Sequence, residues 1–177
     1  MRRLLDRIYD AAAALAALSV LAIFVLMIYA SIGRELGWRV GTINDLVSWL
    51  TAAAAFLAMA KAFRNGDFVR VTLLLEVLKP PVRRAFEIVS LAVAAVAIGY
   101  LAWWAAAFTY ESWKFNDMAN GLLVVPLWIP QTTFVVGAFL FFVAVLDELV
   151  NVLRGAKPTY VRLVEERHAR GDFSEDM

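Results

Sequence analysis

The chain alternates long apolar runs with short polar breaks. Three windows contain no charged side chain: Ala11–Gly33, Ile88–Tyr110 and Met118–Leu146. Each reaches the ~20 residues that a helix needs to cross ~30 Å of hydrocarbon. A fourth window, Leu46–Ala60, is shorter, but the long stem of Lys61 can carry its ammonium to the head groups and extend the run through Phe63. Backbone groups in lipid must satisfy one another, so these windows predict helices and not strands. The expected fold is an all-α integral membrane domain over residues 1–155, with spans at about 11–33, 46–63, 86–112 and 124–149. A polar tail at 156–177 follows, entered through the stop signals Gly155 and Pro158.

One stretch fits neither span nor loop. "FRNGDFVRVTLLLEVLKPPVRR", at 63–84, is apolar in its middle, carries charges and ends on Pro80 and Pro81. Val71, Leu74, Leu75 and Leu78 fall at the i, i+3, i+4, i+7 spacing of one helical face. The two prolines would end such a helix, because proline lacks a donor and disfavours helix in the residue before it. The pattern predicts a short interfacial helix at about 70–79, lying along the membrane between spans two and three. Arg70, Lys79, Arg83 and Arg84 beside it would favour anionic phospholipid head groups.

Composition agrees with the pattern. The sequence has 177 residues and is 62% hydrophobic, with a mean hydropathy of +0.70; soluble domains are about 45–50% apolar. The distribution of Lys and Arg sets an expected orientation. Arg2, Arg3 and Arg7 lie at the N-terminus, Lys61 through Arg84 in the middle connection, and Arg154 through Arg170 at the C-terminal end; the other two connections hold only Arg34, Arg39 and Lys114. Basic residues stay on the cytoplasmic side, so both termini and the middle connection are expected inside. Trp38, Trp49, Trp113 and Trp128 fall near the expected outer boundary, where aromatic belts sit. The basic start "MRRLLDR" with "YASIG" downstream imitates a signal peptide, but the apolar run exceeds the ~7–15 residues of one, so an uncleaved first span is expected.

Charge and residue chemistry narrow the function. A net charge of +1 argues against a nucleic-acid partner. The chain has no cysteine and a single histidine, His168 in the tail, which removes disulfides, thiolate metal sites and intramembrane haem ligation. Asp45, just after Asn44, opens span two, where a helix N-cap is the plain reading. Glu87 follows Arg83 by one turn, as an ion pair would; Asp147 and Glu148 read as the water boundary of span four. Ser19, Ser31, Ser48, Thr51 and Ser90 have no base nearby in sequence and read as helix–helix contacts. Ala95 and Gly99 have small-xxx-small spacing, and span two is rich in alanine; these faces suit either internal packing or another membrane subunit. In "GLLVVPLWIPQT", Pro126 suits an early helical position, and Pro130 would either bend the helix or move its start inward. No cofactor and no enzymatic activity are expected.

Three segments in order, "RELGW" after span one, "GDFVRVTLL" after span two and "VPLWIPQ" at span four, resemble the small membrane subunit (DctQ type) of tripartite ATP-independent periplasmic (TRAP) transporters. The resemblance covers about residues 5–155. Arg34 and Asp45 stand where that family has an arginine and an acidic residue flanking the first outer loop. Gly66, Val69, Arg70 and Val71 match the middle-loop motif, while Phe68 and Thr72 replace its histidine and aspartate, and "NDL" replaces the commoner acidic pair. The resemblance implies a non-catalytic subunit that anchors a large membrane subunit (DctM type), which binds substrate and sodium and moves like an elevator. It also implies a periplasmic substrate-binding protein that delivers an organic acid, and residence in the bacterial inner membrane. The candidate partner or lipid interface comprises Arg34, Asp45, Trp49, Arg70, Val71, Leu74, Leu75, Leu78, Arg83, Arg84, Pro126, Trp128 and Pro130. Other readings of the same spans are a small self-sufficient oligomeric transporter or channel, and a membrane anchor for a soluble partner.

Overall fold

The computed structural model describes residues 2–38, 40–67 and 80–155. Among these, four helices are long and apolar enough to cross a membrane. They are α1 (Arg2–Glu35), α2 (Thr42–Asn65), α3 (Pro80–Lys114) and α4 (Trp128–Leu153). At 1.5 Å per residue the shortest, α2 with 24 residues, reaches about 36 Å, which exceeds the hydrocarbon thickness. The chain is an all-α, multi-pass membrane protein. The expected interfacial helix at 70–79 and the tail at 156–177 lie outside the described residues.

The helices end by a shared device. After α1, Gly37 (φ 72°) donates to Arg34 O and Trp38 to Gly33 O; after α2, Gly66 (φ 88°) donates to Phe63 O and Asp67 to Ala62 O. After α3, Asn116 (φ 53°) donates to Trp113 O and Asp117 to Ser112 O. These paired bonds satisfy the last carbonyls of each helix, and the left-handed residue that permits them is one that tolerates positive φ.

The helices pack as a row, α1 on α2, α2 on α4 and α4 on α3. Phe56 meets Phe134 and Phe63 meets Phe141, both edge-on, so α2 and α4 run parallel at the centre. The flanking helices α1 and α3 run the other way. One end of the row therefore gathers the start of α1, the end of α2, the start of α3 and the end of α4. The main core lies there, formed by Tyr9, Ala60, Phe63, Leu91, Ala95, Ala144, Val145 and Val152. A smaller cluster of Ala12, Ala16, Ala53 and Leu57 joins α1 to α2.

Small residues set the closest approaches. A Cβ added to Gly137 of α4 would stand 2.5 Å from the Phe56 carbonyl carbon, backbone against backbone. One added to Gly99 of α3 would stand 2.8 Å from the Phe142 ring. Ala95 and Ala102, on either side of Gly99, are buried as well. The small-xxx-small face of α3 is thus internal packing, which resolves one of the two readings its sequence allowed.

Candidate functional site

The sequence candidates fall at opposite ends of the row, named outer and inner for the orientation expected from the basic residues, so the structure gathers them as two groups. At the outer end, α2 starts at Thr42 after Gly41, and no side chain caps it. Asp45 is therefore inside the first turn and is not the N-cap that its position after Asn44 suggested. Its negative charge still faces the positive end of the helix dipole. The carboxylate also packs against the outer loop: a Cβ on Gly121 would overlap Asp45, and one on Gly41 would overlap Leu122. Each glycine admits the other segment's side chain, and together they clip the loop onto the start of α2.

That loop is itself ordered by backbone pairing. Met118 bridges Pro126 in antiparallel fashion, Ala119 donates to Val125 O at 2.9 Å and Leu127 to Asp117 O at 2.9 Å. Pro126 thus precedes α4, whose first residue is Trp128. Pro130 falls in the first turn, where a backbone N–H has no intrahelical acceptor anyway, so the missing donor costs nothing there. The helix start is the inward-shifted one of the two outcomes that the paired prolines allowed. Trp128 joins Tyr110, Trp113, Thr109, Thr132 and Val135 in walling an open apolar groove between α3 and α4. Trp49 is half-buried in the second turn of α2. Arg34 donates from Nε to Ala30 O, one turn back, at 3.2 Å and forms no ion pair with Asp45.

At the inner end, Arg83 pairs with Glu87 at 3.2 Å, the one-turn ion pair read from the sequence. Arg84 donates to Val152 O at 3.4 Å and Leu153 O at 3.3 Å, so its charge completes the negative end of α4. Arg70, Val71, Leu74, Leu75 and Leu78 lie outside the described residues.

Sequence reasoning missed an inner-end lock between α1 and α2. Lys61 Nζ meets Asp10 at 2.5 Å, and Arg64 meets Asp6 at 2.6 Å in ion-pair contact not aligned as a hydrogen bond. Arg64 also lies over the ring of the buried Tyr9, 5.2 Å from its centroid. The signal was present as Asp6 and Asp10 one turn apart, facing Lys61 and Arg64 one turn apart, but only a pairing of α1 with α2 makes it legible. Glu148, read as a marker of the water boundary, is buried at 2% exposure beside Asn151 at 6%. The isolated hydroxyls do not join helices as expected. Ser19, Ser48, Thr51 and Ser90 each donate to a carbonyl of their own helix, the back-bonding open to short hydroxyl side chains.

Among the described residues no cluster of His, Cys, Asp or Glu could hold a metal ion. Every charged side chain in the helices lies within about three turns of a helix end, and the mid-span layers hold none. A family model described as tripartite ATP-independent periplasmic transporters, DctQ component, matches residues 23–155. The chain belongs to this family. No curated protein matches it closely enough to count as a relative. As a DctQ component it is the small membrane part of a TRAP transporter and not an enzyme. The matched region runs from within α1 to the glycine that follows α4, so it takes in α2, the outer loop and the α3–α4 pair.

Proposed function

We propose that this DctQ component is the stationary scaffold of a sodium-coupled importer of organic acids in a bacterial inner membrane. It holds the large membrane component, which binds sodium and substrate, while that component's substrate-carrying part moves. A periplasmic binding protein delivers the organic anion. Both termini and the 66–79 connection face the cytoplasm, as the basic ends of the row favour. Arg83, Arg84 and the 70–79 segment hold phospholipid head groups there. The observation that carries the reading is the lack of a charged side chain in the middle of the described helices, joined to broad apolar outer faces. A carrier acting alone needs a polar path at mid-membrane; a scaffold needs surfaces.

The test is reconstitution with the products of the neighbouring genes. Affinity purification of this chain is expected to bring down a larger multi-span protein. Sodium-driven uptake into liposomes is expected only when this chain, that protein and the binding protein are all present. Uptake or conductance from this chain alone would establish it as a self-sufficient transporter instead. Replacing both Leu74 and Leu75 with Glu is expected to weaken assembly or uptake.

A further inference from the structure

The two flanking helices differ in the chemistry of their outward faces. On α1 the mid-span face is Leu18, Leu21, Phe24, Val25 and Ile28, all exposed and without a polar side-chain atom. Such a face is at home in acyl chains. On α3 the corresponding face carries Tyr100, Trp103 and Trp104, which are 67%, 73% and 56% exposed.

Their depth is what matters. Tyr100 stands eleven residues before Glu111, the first charged residue at the outer end, and Trp104 stands seven before it. At 1.5 Å per residue those are about 16 Å and 10 Å below that boundary. The outer aromatic belt is formed separately by Trp113, Trp128 and their neighbours at the helix ends. Tyr and Trp favour membrane interfaces because one end of each side chain is apolar and the other needs a hydrogen-bond partner. The indole N–H is a donor only, and the phenol O–H is both donor and acceptor. Within this chain none of the three side chains makes a hydrogen bond among the described residues. Facing acyl chains at that depth, two or three polar groups would be left unpaired, at a free-energy cost that aliphatic residues would avoid.

We infer that the face of α3 bearing Tyr100, Trp103 and Trp104 is the intramembrane contact with the larger membrane component, through a helix that presents hydrogen-bond acceptors near mid-membrane depth. The inference rests on the scaffold reading above and identifies the surface that reading needs. Tyr100 and Trp104 already pack edge-on with ring centroids 6.1 Å apart, which holds two anchors in place before the partner arrives. Buried aromatic anchors of this kind carry a large share of contact energy. The α1 face is left to lipid.

The experiment uses the intact complex in membranes. A photoreactive benzoylphenylalanine is placed at Val96 or Trp103 on α3, or at Leu21 or Val25 on α1. Crosslinks to the larger component are expected from the α3 positions only. Tyr100→Phe is expected to lower recovery of that component about threefold, the effect of one intramembrane hydrogen bond. The double variant Trp103→Leu, Trp104→Leu is expected to lower it about tenfold or more. Crosslinks to the larger component from α1 alone, crosslinks from α3 only to lipid, or crosslinks from α3 to a second copy of this chain would each overturn the inference. If the unmodified chain recovers no larger membrane component, the scaffold reading falls and this inference with it. If recovery is normal and the α3 positions stay silent, this inference falls alone.

Discussion

Two pairs of residues show how local the constraints on this chain are. Gly137 and Gly99 both admit a neighbour, but the neighbours differ in how far they can yield. Gly137 faces the Phe56 backbone, which cannot move without shifting α2, whereas Gly99 faces a ring that can rotate away. Gly137→Leu is therefore expected to destabilise the purified protein by at least the ~1–3 kcal/mol typical of overpacking, seen as a lowered Tm in detergent, with Gly99→Ala much milder. Equal effects would show that α2 and α4 do not meet at Gly137. The second pair is Gly121 and Asp45. Gly121→Ala forces a methyl group onto the Asp45 carboxylate, so it should lower Tm, and adding Asp45→Ala should restore much of the loss. A double-mutant cycle with no coupling would separate the loop from the start of α2.

At the scale of elements, helix ends and helix pairs obey different rules. Pro130 lies in the first turn of α4, so Pro130→Ala is expected to change stability by under ~0.5 kcal/mol. Proline at Val135, past the first turn, removes a helical hydrogen bond and is expected to cost ~3 kcal/mol or more. Thermal melts of the two variants measure the contrast. The α1–α2 lock divides in the same way by exposure. Lys61 and Asp10 are both open to solvent, and such pairs contribute ~0–1 kcal/mol. The Arg64 side chain is only 12% exposed and touches Asp6 and Tyr9 together. Arg64→Ala is accordingly expected to lower Tm more than Lys61→Ala, and added salt should weaken the Lys61 contribution first. The reverse order would mean that Arg64 is held by packing of its stem alone.

Across the described residues, the ion pairs and the larger core cluster gather at one end of the row. The end that gathers Asp6, Asp10, Lys61, Arg64, Arg83, Arg84 and Glu148 also holds the larger core cluster, while the opposite end carries the aromatic belt and the clipped outer loop. The natural chain has no cysteine, so single cysteines report orientation cleanly. A cysteine at Asn120 is expected to react with a membrane-impermeant maleimide in intact spheroplasts, and one at Asp67 only after lysis. The opposite labelling would invert the topology that the basic residues favour.

The sequence by itself determined the class and the number of long apolar helices, because hydrocarbon penalises every charge and every unpaired backbone group. That penalty depends on residue type and run length alone. The neighbour relations were decided only in three dimensions. Asp45 proved to hold a loop and not to cap a helix, Glu148 proved buried, and the hydroxyls turned back on their own helices. The alanine-rich and glycine-bearing faces could have met one another or a partner, since small residues favour any close approach. Only the packing of α3 on α4 assigned Gly99 inward and thereby turned Tyr100, Trp103 and Trp104 outward, where a lipid tail offers their polar atoms nothing to bond.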